Sequence, residues 1–384
     1  MITRRFTLVA TILLLIFLTC NFNKVEAKPM IANRVHVSAQ SAVLMDEATG
    51  RVLFGKDIHK KMRIASITKV MTAILAIESG KLNKTVTISD NAYGTEGSSL
   101  YLKRGEKVKL KDLVYGLLMR SGNDAAIAIA EAVSGSTGGF VYQMNKKAKE
   151  LGMLDTTFAN PHGLDDERHR STAYDMALLT KYAMQNKTFQ KMFKTKFYNT
   201  PQEGEKWDRH WKNKNKLLFN YDYSTGGKTG YTKKTGRTLI STATKDDKDF
   251  IVVTLNDGDD WNDHRTLFNW GFNHFNMVKV MHEGKLNGVK KTYYKGAVFL
   301  HRDIVLPLTT EEKKHLTTQL MLYKPKQGQE FQKPPKIAGR LKVSVEGETL
   351  ADVPVFYKQA EKEKKGFWSL VQVIIGHMLE PDHD

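Results

Sequence analysis

Apolar positions in residues 42–54 form two short runs, 42–45 and 52–54, either side of a turn containing Thr49 and Gly50. Two such runs closed by a glycine turn predict a hairpin. The period then changes. In RIASITKVMTAILAIESGKL, Val70, Ile74, Leu75 and Ile77 recur at helical spacing, and Gly80 supplies a stop. Residues 111–190 read as mostly helical, with apolar stripes in LKDLVYGLLM, DAAIAIAEAV and AYDMALLTKYAM. After GGKTGYT, the β-prone runs RTLISTAT and FIVVTLN flank KDDKD as a second hairpin, and HRTLFNWGFNHF returns to a helix. Strands that open and close a segment with helices between them predict an α+β domain: an antiparallel sheet built from both ends, covered by helices, with an inserted helical region. From about residue 290, short β-like runs split by Pro and Gly predict a small all-β domain reaching residue 358. In the tail KKGFWSLVQVIIGHMLEPDHD, Phe367, Val371, Ile374 and Met378 share a helical stripe opposite Ser369, Gln372 and Gly376. That is the pattern of a C-terminal amphipathic helix.

The first residues fall outside this scheme. Arg4 and Arg5 precede an apolar run over residues 6–20, and VEA at 25–27 offers a small-residue exit. This order is that of a cleaved export signal, and the run is short for a bilayer span. The expected division is a signal peptide (1–27), a catalytic domain (28–289), a small β domain (290–358), and a linker with a membrane-anchor helix (359–384). Cys20 is the one cysteine, so signal removal leaves none, excluding disulfides within the chain, thiol catalysis and cysteine metal sites. The twelve histidines show no HExxH pattern; His162, His169 and His264 are scattered and read as surface or structural groups.

Net charge is +18, of which the leader (Arg4, Arg5 and Lys24 against Glu26) carries two. A basic exported chain is attracted to anionic wall polymers and lipid headgroups. Export, and the absence of a dense basic block with interleaved aromatics, argue against nucleic acid as a partner. The apolar part of the tail, residues 366–379, is too short to cross a hydrocarbon core of roughly 30 Å. Lys358, Lys362, Lys364 and Lys365 precede it, which suits a helix lying in the headgroup plane.

Three short strings carry candidate chemistry. Ser66-Ile67-Thr68-Lys69 opens a predicted helix, and i,i+3 spacing puts Lys69 on the same face as Ser66. A serine hydroxyl is a weak nucleophile until a base takes its proton, and a lysine is a base only when desolvation or cationic neighbours lower its pKa. Ser121-Gly122-Asn123 lies between two helical segments, where a loop presents a hydroxyl and an amide to a cleft. The literal Ser89-Asp90-Asn91 comes after the strand-like TVTI and reads as a turn or cap. Lys228-Thr229-Gly230 opens a strand, offering a charge, a hydroxyl and room for a substrate backbone along a strand edge. The neighbouring GGKT is not a phosphate loop: the first glycine position is Asp222, and the segment after Thr229 is strand-like rather than helical.

Ser-x-x-Lys, Ser-x-Asn and Lys-Thr-Gly in this order resemble the motif set of the penicillin-recognising serine enzymes. With RIASITKVMTA, GLLMRSGNDAAIAIAE, ANPHGLDDE, STAYDMALL and GGKTGYT, the chain resembles the low-molecular-mass penicillin-binding proteins, the serine-type D-alanyl-D-alanine carboxypeptidases, from about residue 35 to 281. Its wording is similar to enzymes of spore-forming Gram-positive bacteria, including the spore-cortex branch. The resemblance implies a β-lactamase/transpeptidase-like fold and a hydrolase acting on peptidoglycan stem peptides in cell-wall biogenesis, with β-lactams as covalent inhibitors. It implies Ser66 as nucleophile, Lys69 as base, and Ser121 with Lys228 relaying a proton. Thr229 is expected to bond the terminal carboxylate, Asn123 to hold the substrate amide, and Gly230 to admit the substrate backbone. The N–H groups of Ser66 and Tyr231 are expected to form the oxyanion hole. No metal or organic cofactor is implied. The further arginine that the family often places near the substrate carboxylate has no match, since NDGDDWND is acidic where it is expected. Peripheral attachment to the outer face of the cytoplasmic membrane is also implied.

Three alternatives share parts of this pattern. A D,D-endopeptidase uses the same groups. A class A β-lactamase needs E-x-x-L-N between its second and third motifs, whereas Glu283-Gly284-Lys285-Leu286-Asn287 comes after the third and reads as a surface turn. A non-catalytic wall-binding scaffold would not need Ser66, Lys69 and Lys228 together.

Overall fold

The computed structural model describes residues 35–289, 294, 297–324 and 335–358; the expected leader and amphipathic tail lie outside them. Strands β1 (Ser41–Asp46) and β2 (Val52–Lys56) form the first hairpin. A helical insert comes next, carrying two small hairpins: β3 (Thr85–Thr87) with β4 (Lys107–Lys109), and β5 (Phe197–Pro201) with β6 (Asp208–Lys212). The chain then returns through β7 (Ser224–Thr232), β8 (Gly236–Lys245) and β9 (Lys248–Leu255). The central sheet is antiparallel in the order β2-β1-β9-β8-β7, so both ends of the domain build it and β7 is an edge.

Strand periodicity sorts the core. Val43, Met45, Ile251 and Val253 pack with Ile74, Leu117 and Ala126 of the insert. Their neighbours Ala42, Leu44, Phe250 and Val252 pack with Leu267, Phe268 and Phe272 of the helix Asp260–His274. Alternate side chains point to opposite faces, and here both faces are covered. That is why DFIVVT shows an apolar run rather than alternation. The helix Lys69–Glu78 runs through the insert with every residue from Lys69 to Ile77 buried.

Between helices Thr137–Glu150 and Ala173–Met184, the expected helical texture breaks. Residues 151–172 form a loop, with Gly152 and Gly163 at φ +74° and +88° and bridges at Thr157–Arg170 and Met62–Ser171. The β5–β6 hairpin also escapes the hydrophobic pattern: its buried positions include Arg209, paired with buried Glu106, beside Trp211.

The second unit is a five-stranded sheet ordered β11-β12-β16-β15-β14. It comprises β11 (Gly284–Lys285), β12 (Ala297–Leu300), β14 (Leu316–Leu322), β15 (Ile337–Val345) and β16 (Glu348–Lys358). Residues 283–287, read as a surface turn, contribute the two-residue edge strand β11. The units are joined closely. β10 (Asn276–Met281) leaves the helix Asp260–His274 almost directly and pairs with β13 (Ile304–Leu308). Arg51, in the β1–β2 turn, reaches Glu312 and the Pro307 carbonyl, and its guanidinium lies 5.8 Å from the Phe275 ring.

Candidate active site

Ser66 sits in a single 3-10 turn, Ala65–Thr68, at the head of the helix that Lys69 begins. Ala65 has φ +46°, a left-handed conformation that costs a non-glycine residue about 1–2 kcal/mol. Neighbours hold the turn there. Thr68 Oγ1 donates to the Ala65 carbonyl (2.7 Å), and Thr238 Oγ1 donates to the Ile64 carbonyl (3.1 Å). His169 completes the support. The Ala159 N–H donates to its Nδ1, so Nε2 carries the proton and donates to Thr68 Oγ1 at 2.8 Å. Burial lowers the His169 pKa to about 4, keeping that tautomer neutral.

Lys69 is fully buried. Its Nζ lies 2.9 Å from Ser66 Oγ, 2.7 Å from Asn123 Oδ1 and 2.5 Å from the His162 carbonyl. Burial first, then the charges of Lys228 and Lys214, hold its pKa well below the ordinary lysine value. A neutral amine has two N–H donors and one lone pair. The carbonyl oxygens of Asn123 and His162 can only accept, so they take both donors. In the neutral amine the lone pair then faces Ser66 Oγ. The Asn123 amide is fixed in this sense because its Nδ2 donates to the Glu96 carbonyl (2.6 Å). Both ends of Asn123 are therefore engaged inside the protein, aligning Lys69.

Ser121 ends the helix Leu110–Arg120 in a left-handed conformation (φ +67°), and Gly122 turns the chain into the helix Asn123–Ser134. The Lys228 ammonium donates to Ser121 Oγ (3.1 Å) and to the Thr229 carbonyl (2.7 Å). Burial, with a smaller contribution from Lys214, lowers the Lys228 pKa to about 7. Lys228-Thr229-Gly230 lies within β7 rather than at its start, four residues after Ser224. A Cβ on Gly230 would come within 2.9 Å of the Ser66 amide nitrogen and 2.4 Å of Thr238 Oγ1, so the strand runs hard against the serine turn. Ser89, by contrast, caps a local turn and bonds Glu131.

A cleft of about 350 Å³ opens over these groups, lined by Ser66, Ser121, Thr229, Gly230 and Tyr231. A slightly larger hollow of about 410 Å³, at Leu82, Tyr115 and Met192, contains none of them. Over residues 26–259 the sequence matches the D-alanyl-D-alanine carboxypeptidase family, and over 275–363 the C-terminal domain of penicillin-binding protein 5.

The chain belongs to the D-alanyl-D-alanine carboxypeptidase family.

The chain is 38% identical over 258 residues to D-alanyl-D-alanine carboxypeptidase DacF of Bacillus subtilis, covering 65% of this chain and 64% of the relative. It is 33% identical over 288 residues to DacD of Escherichia coli, covering 70% and 72%. The chain thus spans a little under two thirds of the first relative's length. Among solved structures, penicillin-binding protein 5 of Haemophilus influenzae superposes with a TM-score of 0.73 at 26% identity, covering 85% of this chain and 98% of that one. The chain therefore shares its family with proteins named D-alanyl-D-alanine carboxypeptidases.

The structure brings all eight sequence-read residues together: Ser66, Lys69, Ser121, Asn123, Lys228, Thr229, Gly230 and Tyr231. It also adds groups to the cleft that the motifs do not announce. Lys214, Arg237, Asp260 and Trp261 line it. The His162 carbonyl is a backbone group and leaves no mark in a residue pattern. Arg237 becomes visible only through register, opposite Tyr231 on the next strand.

Proposed function

We propose that this enzyme removes the terminal D-Ala from peptidoglycan stem peptides through an acyl-enzyme on Ser66. The observation that carries the reading is the buried Lys69 Nζ, within hydrogen-bond distance of Ser66 Oγ and of the Asn123 and His162 carbonyl oxygens, with its pKa lowered by burial. Lys69 takes the Ser66 proton as Oγ attacks the carbonyl carbon of the penultimate D-Ala. The developing oxyanion lies between the N–H groups of Ser66 and Tyr231. Removing one such donor elsewhere costs about 2.7–4 kcal/mol. As the C–N bond breaks, Ser121 Oγ gives its proton to the leaving amine and is resupplied by the Lys228 ammonium. Water then attacks the ester and releases Ser66. A β-lactam takes the first half of this route and stays attached, because its opened ring remains tethered to the acyl group. Asn123 acts first by aligning Lys69. The edge strand β7 supports a substrate bound by main-chain hydrogen bonds.

The reading extends to placement. Residues 1–27 direct export, and the catalytic domain from residue 28 gives way to the small β domain, whose sheet already includes β11 at Gly284–Lys285 and runs to residue 358. Residues 366–379 hold the enzyme peripherally on the outer face of the cytoplasmic membrane. Their basic flank and amphipathic pattern support this.

The test combines two assays on the full chain. Benzylpenicillin should add one acyl mass to the wild type and none to folded Ser66→Ala, and wild-type enzyme should release free D-Ala from a D-Ala-D-Ala peptide. Acylation of Ser66→Ala would refute the nucleophile. Truncation after Lys358 should free the enzyme from membrane fractions while preserving D-Ala release; continued sedimentation with membranes places the anchor elsewhere.

A further inference from the structure

The hollow of about 410 Å³ that lies apart from the Ser66 cleft draws its walls from three places. Leu82 follows the helix Lys69–Glu78, Lys111 and Tyr115 belong to the helix Leu110–Arg120, and Lys187, Lys191 and Met192 belong to the short helix Lys187–Phe193. The first of these helices begins at Lys69, and the second ends against Ser121. Each therefore has one end at the catalytic groups and the other at the hollow. A rise of 1.5 Å per residue puts about 15 Å between the two ends of the helix Lys69–Glu78.

The hollow has an apolar floor and a cationic rim. Tyr115 and Met192 are 3% and 2% exposed, whereas Lys111, Lys187 and Lys191 are all exposed. Lys187 and Lys191 stand one turn apart on a single helix face. None of the three ammonium groups has an ion-pair or hydrogen-bond partner among the described residues. No carboxylate lines the hollow. Asp112, next to Lys111, accepts instead from the Tyr198 hydroxyl at 2.5 Å, and Tyr198 stacks on Tyr115 with ring centroids 3.7 Å apart. The helix end is not the attraction either, because Asn186 Oδ1 already accepts from the N–H groups of Thr188 and Phe189. What the hollow offers is three like charges around one opening with nothing to balance them.

The rim selects among anions. Lysines are point charges that suit phosphate, and the forks that match a carboxylate are missing. The charges come from two helices and surround the opening, which suits successive phosphates on one chain better than a single ion. The apolar floor accommodates the CH groups that link them. An extended acidic peptide is typically gripped by a strand edge, and these walls are helices and a turn. A bilayer calls for protruding apolar side chains, and here they are recessed beneath the lysines.

We infer that this hollow binds a phosphodiester-linked polyol chain, a linear polyanion, at a site separate from the catalytic cleft. Engagement there holds the protein against anionic polymer and leaves the Ser66 cleft open.

The experiment measures binding of the full chain to a synthetic glycerol phosphate oligomer by titration calorimetry at low salt. The triple variant Lys111→Gln, Lys187→Gln, Lys191→Gln should bind about 10- to 100-fold more weakly than wild type, the combined effect of three exposed ion pairs. A control triple, Lys285→Gln, Lys313→Gln, Lys324→Gln, removes the same charge from exposed positions of the second unit and should bind within threefold of wild type. Both should keep the wild-type circular dichroism spectrum and melting temperature. Equal losses in the two triple variants would reduce the effect to net charge and overturn the inference. Displacement of the oligomer by millimolar inorganic phosphate at constant ionic strength would overturn it by marking a single-ion site. Equal affinity of the wild type for polyglutamate of the same length would do so by marking a site for carboxylates. A loss of binding to phosphatidylglycerol vesicles confined to the hollow variant would do so by marking a lipid-facing surface.

Discussion

Replacing Lys228 with methionine should stabilise the protein while inactivating it. Burial lowers the Lys228 pKa from 10.5 to about 7. The unfolded chain therefore binds a proton that the folded chain releases, and stability rises with pH between about 7 and 10.5. At pH 7 the folded state bears a penalty of about 4 kcal/mol from this one group, falling to about 1 kcal/mol at pH 10. Methionine fills similar space and removes the penalty. It also removes the hydrogen bonds to Ser121 and the Thr229 carbonyl, a loss of about 1–3 kcal/mol that does not depend on pH. Net stabilisation at pH 7 is then about 1–3 kcal/mol, vanishing or reversing by pH 10. Lys69 reinforces the sign, because the Lys228 charge lowers its pKa as well. Urea unfolding at pH 7, 8.5 and 10, monitored by tryptophan fluorescence, measures the difference between variant and wild type. A difference that stays the same from pH 7 to pH 10 would refute the reasoning, whatever its sign.

Ser121→Ala should slow D-Ala release by about 10²–10⁴-fold, the range of a lost general acid, while Ser89→Ala changes it less than twofold. The reverse order would place the second motif at Ser89. Gly230→Ala should abolish acylation by benzylpenicillin with little loss of helix content by circular dichroism, because its methyl group meets the Ser66 amide; near-normal acylation would mean that β7 yields easily. Arg51→Ala should destabilise the protein by about 3–5 kcal/mol in urea, the cost of leaving Glu312 unpaired in a largely buried site. A loss below 1 kcal/mol would show that water reaches the pair.

The two central hairpins were legible because apolar runs and turn residues coincide at Gly50 and in KDDKD. The burial of helix Lys69–Glu78 was harder to foresee, since Lys69 itself breaks the apolar pattern and is buried for chemical reasons. The catalytic groups were legible as strings because each motif is short and local. Arg237 and Lys214 were not, since their places in the cleft come from strand register and from a loop that reaches it across the fold. Residues 151–172 misled for a related reason. They lie within a stretch read as mostly helical, although Gly152, Asn160-Pro161 and Gly163 are turn and breaker residues; the left-handed glycines and the bridges at Met62 and Arg170 make them a loop. The β5–β6 hairpin hid behind Arg209, a charge whose burial depends on Glu106, about a hundred residues away.

The tie from Arg51 to Glu312, with β10 paired to β13, makes the second sheet a strut. A chain joined by a loose tether lets its catalytic head sweep a volume. A chain braced by a strand pair and a largely enclosed ion pair has one standoff distance. Under the proposed hold through the residues after Lys358, this brace would set the altitude of the Ser66 cleft, and with it the layer of polymer within its reach. Lengthening or shortening β10 and β13 together would move that layer without altering an atom of the catalytic machinery.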